Sequence, residues 1–161
     1  MRRVLWTGLA IVGAALVETA LGYLFPVAGR FLDAFLLVVV YCALSGGETH
    51  GMLAGVAAGW VQDVLFGGRV LGLAALSKLL VGFAVGLAGR RFLIAGTTAR
   101  ALTVFLASLA DGLLMPWLAS AFTLELQPQG PLALVGRAAF NALAGGALFA
   151  LVDRRAQWGR P

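Results

Sequence analysis

Charged residues are scarce in this chain: they make up 12% of its 161 residues, whereas 61% are hydrophobic and the mean hydropathy is +0.95. Soluble domains carry about 25% charged residues, so the composition excludes a sizeable soluble domain and predicts a polytopic membrane protein. The chain has one cysteine, Cys42, and one histidine, His50, which offers neither a disulfide nor a metal cluster. We interpret Cys42, which lies in an apolar run, as a small buried residue.

Catalytic motifs are also missing. The sequence contains no Gly-x-Ser-x-Gly elbow, no phosphate-binding loop and no zinc-protease motif, so we predict a protein that is not an enzyme and uses neither a cofactor nor a metal. The formal net charge of +5 and the pI near 10.7 would suggest nucleic acid in a soluble protein. Here all the arginines except Arg137 lie near the ends of apolar segments, where they orient helices in a bilayer, so we expect no nucleic-acid partner.

Six apolar segments follow one another, and we predict an all-α bundle of six transmembrane helices that forms one membrane domain over residues 1–161. The approximate limits of the segments are 4–25, 31–44, 51–66, 70–88, 101–122 and 132–152. A spanning helix needs about 20 residues, so the second and third segments are short. Either they tilt or extend through the turn at 45–47, or they span incompletely where protein surrounds them. The first segment is longer than the core of a secretory signal and carries Glu18, which favours a retained helix.

The distribution of arginine predicts the orientation of these helices. If the N-terminus lies inside, the outer loops hold only Arg30 and Arg69. The inner side then holds Arg2, Arg3, Arg90, Arg91, Arg100, Arg154, Arg155 and Arg160. This positive-inside bias predicts cytoplasmic N- and C-termini.

Five ionisable residues fall deep within the predicted spans, where a charge must be paired, hydrogen-bonded, neutralised or hydrated. They are Glu18, Asp63, Lys78, Asp111 and Arg137. Several share a helix face with small residues at four-residue spacing, a pattern typical of tight helix packing. These faces are Ala10, Ala14, Glu18 and Gly22; Gly51, Gly55, Gly59 and Asp63; Lys78, Gly82 and Gly86; and Arg137, Asn141 and Gly145.

Opposite charges on successive helices suggest specific pairs. Asp63 and Lys78 flank a glycine turn at depths that differ by roughly one and a half helical turns, so we predict a buried ion pair between them. The alternative is that Lys78 snorkels and Asp63 is hydrated. Asp111 either pairs with Arg137 or is a protonated acid in a pocket, and we favour a structural role over a proton relay.

Two further predictions concern residues of the second and third spans. We expect Arg30 and Asp33 to form an interfacial anchor near the outer end of the second span. We expect Trp60, which lies deeper than the other tryptophans, to pack inside the bundle.

The stretch from Asp33 to Arg91 resembles the bacterial rod shape-determining protein MreD. The matching elements are the acid that opens "DAFLLVVVYCAL", the glycine-spaced helix "GMLAGVAAGWVQD", the glycine turn with "LG", and "LVGFAVGLAGRR" closed by arginines. The length, the segment count and the short loops agree as well. The first, fifth and sixth segments match in hydropathy alone.

This resemblance implies a component of the bacterial inner membrane that works in the machinery for cell elongation and lateral peptidoglycan synthesis. The family's partners are the bitopic protein MreC and, in the wider complex, MreB, RodA and PBP2. The family's fold is similar to the membrane substrate-binding component of energy-coupling-factor transporters. Carried onto this chain, that similarity implies a central cavity lined by the ionisable residues Glu18, Asp63, Lys78, Asp111 and Arg137.

Three functions are consistent with these features. The first is a non-enzymatic scaffold that binds an MreC-like partner through small residues on an outward helix face. The second is a vitamin-binding component of a transporter, which requires a ligand cavity formed by outer loops, although residues 123–131 contain no aromatic residue. The third is a proton or ion pathway through the buried acids.

Overall fold

Within the residues that the structure describes, the chain folds into seven α-helices. This computed structural model describes residues 2–66, 71–92, 96–123 and 130–158. The helices are α1 (Arg2–Leu24), α2 (Pro26–Phe31), α3 (Ala34–Gly46), α4 (Glu48–Leu65), α5 (Leu73–Arg91), α6 (Thr97–Ala121) and α7 (Pro131–Trp158). Six of them overlap the six predicted apolar segments, and the short helix α2 is an addition.

The protein is a multi-pass membrane helix bundle. Four helical segments are long and apolar enough to cross a bilayer, and they are Val4–Leu24, Leu73–Arg91, Thr97–Ala121 and Pro131–Arg154. Helix α3 is strongly apolar but has 13 residues, which is about 20 Å of helix against a hydrocarbon core of about 30 Å. The count of six spans therefore stays a prediction.

Helix α3 lies at the centre of the bundle, where it contacts α1, α4, α5 and α6. Phe35, Leu36, Val39 and Val40 on this helix are fully buried, and the thiol of Cys42 is buried as well. The first turn of α3, residues 34–37, is buried, so this end of the short helix is not exposed directly to lipid. Tyr41 and Ser45, closer to its other end, are exposed.

Helices α4 and α5 form a hairpin whose backbones touch at glycines. A Cβ atom on Gly51 would meet the carbonyl oxygen of Gly82, and one on Gly55 would meet that of Lys78. In the same way, Gly59 faces the backbone at residues 74–75, and Gly86 faces that of Glu48. Any side chain at these positions would push the two helices apart, which is why the four-residue spacing of glycine matters here.

The prediction that Trp60 packs inside the bundle is wrong. Its side chain is 60% exposed, in a row with Leu53, Ala57 and Val64 on the outer side of α4. The glycine face of α4 already lies against α5, so the large side chains of this helix point towards lipid.

Candidate functional site

Four charged side chains from four parts of the chain meet inside the bundle. Asp33 precedes α3, and Lys78, Asp111 and Arg137 lie on α5, α6 and α7; we call them the buried quartet. Lys78 Nζ lies 3.0 Å from Asp33 Oδ2 and 3.7 Å from Asp111 Oδ2. Arg137 Nη2 lies 2.8 Å and 3.4 Å from the same two oxygens. Each base thus bridges both acids, and the quartet is neutral as a whole.

The quartet is almost completely removed from solvent. The side chains of Asp33, Lys78 and Asp111 are 1% exposed, and that of Arg137 is 17% exposed. Burial of charge at this depth is tolerated only when the charges are paired and their remaining hydrogen-bonding capacity is used. Ser77 contributes to this by donating from Oγ to Asp111 Oδ1 at 2.7 Å.

The quartet is joined to the start of α3, whose first N–H groups have no partner within the helix. Asp33 caps its own helix, because its Oδ1 accepts from the Leu36 N–H at 2.8 Å. Glu18 on α1 accepts from the N–H groups of Ala34 at 2.7 Å and Phe35 at 3.5 Å. Carboxylates also complement the positive end of the helix dipole. Side chains therefore replace the water that would normally bind this helix end.

Asn141 on α7 completes this arrangement. Its Oδ1 accepts from the Asp33 N–H at 2.8 Å, and its Nδ2 donates to Ser108 Oγ on α6 at 2.9 Å. Both ends of the amide are used, which fixes its orientation and links α6 and α7 to the start of α3. The side chains of Asn141 and Ser108 are buried.

The structure thus places five of the predicted site residues around Asp33, for which the sequence predicted another position. The five are Glu18, Lys78, Asp111, Arg137 and Asn141. Placing Asp33 in an interfacial anchor is wrong, since its side chain is 1% exposed. The signal for its actual role was local: an aspartate directly before an apolar helix is a preferred N-cap. Ser77 and Ser108 were missed, and an isolated serine in an apolar helix gives no comparable signal.

Asp63 lies outside the quartet, and the predicted ion pair between Asp63 and Lys78 is wrong. Asp63 instead accepts from the backbone N–H groups of Gly72 at 2.8 Å and Ala74 at 3.1 Å, at the start of α5. Gly72 adopts a left-handed conformation with φ +103°, which turns the chain into the helix. The carboxylate at the end of α4 therefore caps α5, and Lys78 reaches the quartet from deeper in that helix.

The bundle also has a polar cluster at the end where α3 and α7 finish and α4 and α6 begin. Arg90 donates to Glu48 Oε1 at 2.8 Å, and Arg100 donates to both carboxylate oxygens of Asp153 at 2.9 and 3.0 Å. Arg91 and Arg154 are exposed at the same end. We call this the arginine-rich end. Within the described residues, no group of three or more His, Cys, Asp or Glu side chains is arranged to hold a metal ion.

Comparison with known proteins gives a family for the chain. No curated protein and no solved structure matches it. A family model described as rod shape-determining protein MreD matches residues 2–128, which span α1 to α6 and include Asp33, Lys78 and Asp111. The match covers well over half of the 161 residues and agrees with an apolar helix bundle, so the chain belongs to the family of the rod shape-determining protein MreD.

Proposed function

We propose that this protein is a non-enzymatic scaffold of the cell-elongation machinery in the bacterial inner membrane, where it binds the transmembrane helix of an MreC-like partner. Membership of a shape-determining family supports the cellular role. The described chain is almost entirely helical, with short connections, so a partner has to be recognised largely within the bilayer. Lateral peptidoglycan synthesis would then be supported through the partner, with MreB, RodA and PBP2 in the wider complex.

The observation that carries the proposal is the position of α1 at the edge of the bundle. In each candidate span we compare the buried share of an apolar stretch of 18 residues. This share is 11% for α1, 44% for α5, 28% for α6 and 22% for α7. Among the described residues, its main contacts are with α2, α3 and α4. Helix α1 is therefore the least buried of the four candidate spans.

The outward side of α1 combines small and large residues in a way that suits helix packing. Leu9 and Leu16 are 63% and 67% exposed, and Gly13 and Ala20 lie on the same side at helical spacing. A Cβ atom on Gly13 would meet nothing within 4 Å, so the space beside it is open. We call these four residues the α1 outer face. Small residues between leucines allow a second helix backbone to approach closely.

The proposed topology has six crossings with both termini in the cytoplasm. Arg90, Arg91, Arg100 and Arg154 lie at one end of the bundle, as positive-inside placement requires of a cytoplasmic side. In this topology α3 and α4 are the short crossings. The burial of the first turn of α3, and the side chains that bind its first N–H groups, compensate for its length at that end.

Co-purification of the partner tests the proposal. The double substitution Gly13→Leu and Ala20→Leu fills the α1 outer face, and we expect it to abolish recovery of an MreC-like partner in mild detergent. The matched control is Ala84→Leu with Ala139→Leu, which adds the same kind of side chain at exposed positions of α5 and α7. The control should leave recovery unchanged.

Two results would count against this proposal. If the wild-type chain does not retain an MreC-like partner, the scaffold function is wrong. If the partner is retained equally by both double variants, and both are folded by size-exclusion chromatography, the scaffold binds through another surface than α1.

A further inference from the structure

We propose that a groove between α1 and α7 binds an acyl chain of an anionic phospholipid, and that Arg100 binds the phosphate of the same lipid. The groove and the arginine belong to different helices but lie next to each other at the arginine-rich end. This site is separate from the α1 outer face and from the buried quartet.

The groove has the size and lining of a ligand site. Its volume is about 590 Å³, within the range of about 300–1,000 Å³ that is typical of small-ligand pockets. Trp6 and Ala10 of α1 form one wall, Leu148 and Val152 of α7 form the other, and Val38 of α3 lies at the floor. Thr7, Ser45 and His50 also line the groove, and Thr7 and His50 hydrogen-bond to each other at 3.3 Å. The apolar part of the lining suits a hydrocarbon chain, which needs no hydrogen-bond partners.

A polar pocket continues the groove at the arginine-rich end. This second cavity has a volume of about 200 Å³ and shares Tyr41, Ser45 and Val152 with the groove. Arg100 and Asp153 lie on its wall. A molecule that occupies both cavities would have an apolar part and a polar part, as a phospholipid does.

The guanidinium of Arg100 is held in place with donors to spare. Both oxygens of Asp153 accept from the same nitrogen, Nη1, at 2.9 and 3.0 Å. The guanidinium carbon lies 5.5 Å from the centre of the Phe149 ring, which stacks on Tyr41 at 5.9 Å. None of the hydrogen bonds between Arg100 and the described residues uses Nη2 or Nε. A planar guanidinium with free N–H groups is well suited to bind a phosphate.

The charge of this region favours an anionic lipid over a zwitterionic one. Four arginines, Arg90, Arg91, Arg100 and Arg154, lie at this end together with the acids Glu48 and Asp153. The excess of positive charge attracts anionic headgroups, which lie at the level of helix ends in a bilayer. A free phosphate ion would bind Arg100 but would leave the apolar groove empty. A phospholipid would fill both cavities, and for this reason we propose a lipid.

Native mass spectrometry of the purified full-length chain tests this site. The probes are phosphatidylglycerol and phosphatidylcholine with identical acyl chains, each added to delipidated protein. We expect one phosphatidylglycerol to be retained in preference to phosphatidylcholine. Arg100→Gln should reduce that preference by about tenfold, the effect expected for losing one charge-assisted hydrogen bond. The control Arg91→Gln removes an exposed arginine at the same end, whereas Arg100 is partly buried, and it should keep the preference.

The groove itself is tested by a second substitution, Ala10→Leu. Ala10 is exposed on the surface of α1, so the larger side chain can be accommodated by the fold while it fills the groove. We expect this variant to lose retention of both lipids. The proposal is overturned if Arg100→Gln and Arg91→Gln behave alike, if Ala10→Leu retains lipid as the wild type does, or if inorganic phosphate displaces phosphatidylglycerol completely.

Discussion

Lys78, the only lysine of the chain, lies between two aspartates and shares both of them with Arg137. Each member of the buried quartet is stabilised by opposite charges, and none of the four would be tolerated at this depth alone. Removing one member leaves an excess charge with no water to solvate it. The quartet is therefore best understood as a unit whose neutrality matters more than any single contact.

Single substitutions in the quartet should be far more damaging than a neutral combination. Lys78→Met removes a positive charge, and Asp33→Asn removes a negative charge while keeping an oxygen for the Leu36 N–H. We expect each to lower the free energy of unfolding by about 3–5 kcal/mol. The double variant restores neutrality, so its loss should be clearly smaller than the sum of the two.

Thermal unfolding in detergent, followed by tryptophan fluorescence, measures these losses. Arg90→Gln is the control, since it breaks an exposed ion pair with Glu48 whose contribution is about 0–1 kcal/mol. Strictly additive losses in the double variant would show that Asp33 and Lys78 act independently, contrary to this interpretation of the quartet.

At the scale of the elements, α3 depends on its neighbours from its first residue. Its first N–H groups are bound by Glu18 from α1 and by its own cap Asp33, and the N–H of Asp33 is bound by Asn141 from α7. The hydrogen bonds from Glu18 and Asn141 form only when α1 and α7 are in place, so the start of α3 depends on the tertiary fold. The buried quartet and α3 are thus parts of one structural unit.

The α4–α5 hairpin yields a prediction with a built-in control. Gly55→Ala places a Cβ atom against the carbonyl of Lys78, so the two helices must separate and packing near the quartet is lost. We expect it to destabilise the protein by about 1–3 kcal/mol, as overpacking does. Gly8→Ala in α1 adds the same methyl group where nothing lies within 4 Å, and it should be neutral or stabilising by up to about 1 kcal/mol because alanine favours helix.

The same thermal unfolding measurement separates these two variants. If Gly55→Ala and Gly8→Ala have equal midpoints, the backbone contact between α4 and α5 does not contribute to stability as described.

The elements also show what sequence can and cannot predict here. The positions of the main helices follow from apolar runs and the breaks between them. The shared face of Gly51, Gly55 and Gly59 follows from the helical period. Both can be predicted because they depend on residues that are close in sequence. The partners of the charges are not local, because Asp33 meets residues 45 and 104 positions further along the chain. Asp63 shows why the sequence alone did not predict its partner. A carboxylate near a turn can act either as a helix cap or as an ion-pair partner, and the local sequence is the same in both cases.

At the scale of the whole molecule, the interior and the surface have different roles. The interior holds the neutral quartet, which joins the start of α3 to α5, α6 and α7, and Glu18 of α1 binds the same start of α3. The surface is apolar around most of its circumference, and its least buried span is α1. In the proposed function, the partner binds this least buried helix, and positive-inside placement would put the arginine-rich end on the cytoplasmic side.

Site-specific photo-crosslinking tests the central claim most directly. A photoreactive phenylalanine analogue at Leu16, which is 67% exposed, reports on the α1 outer face, and the same analogue at Leu143, which is 75% exposed, reports on α7. In cells that contain an MreC-like partner, the proposal predicts a crosslinked product with that partner from position 16 and none from position 143. A product from position 143 alone, or from neither position while the partner is present, would contradict it.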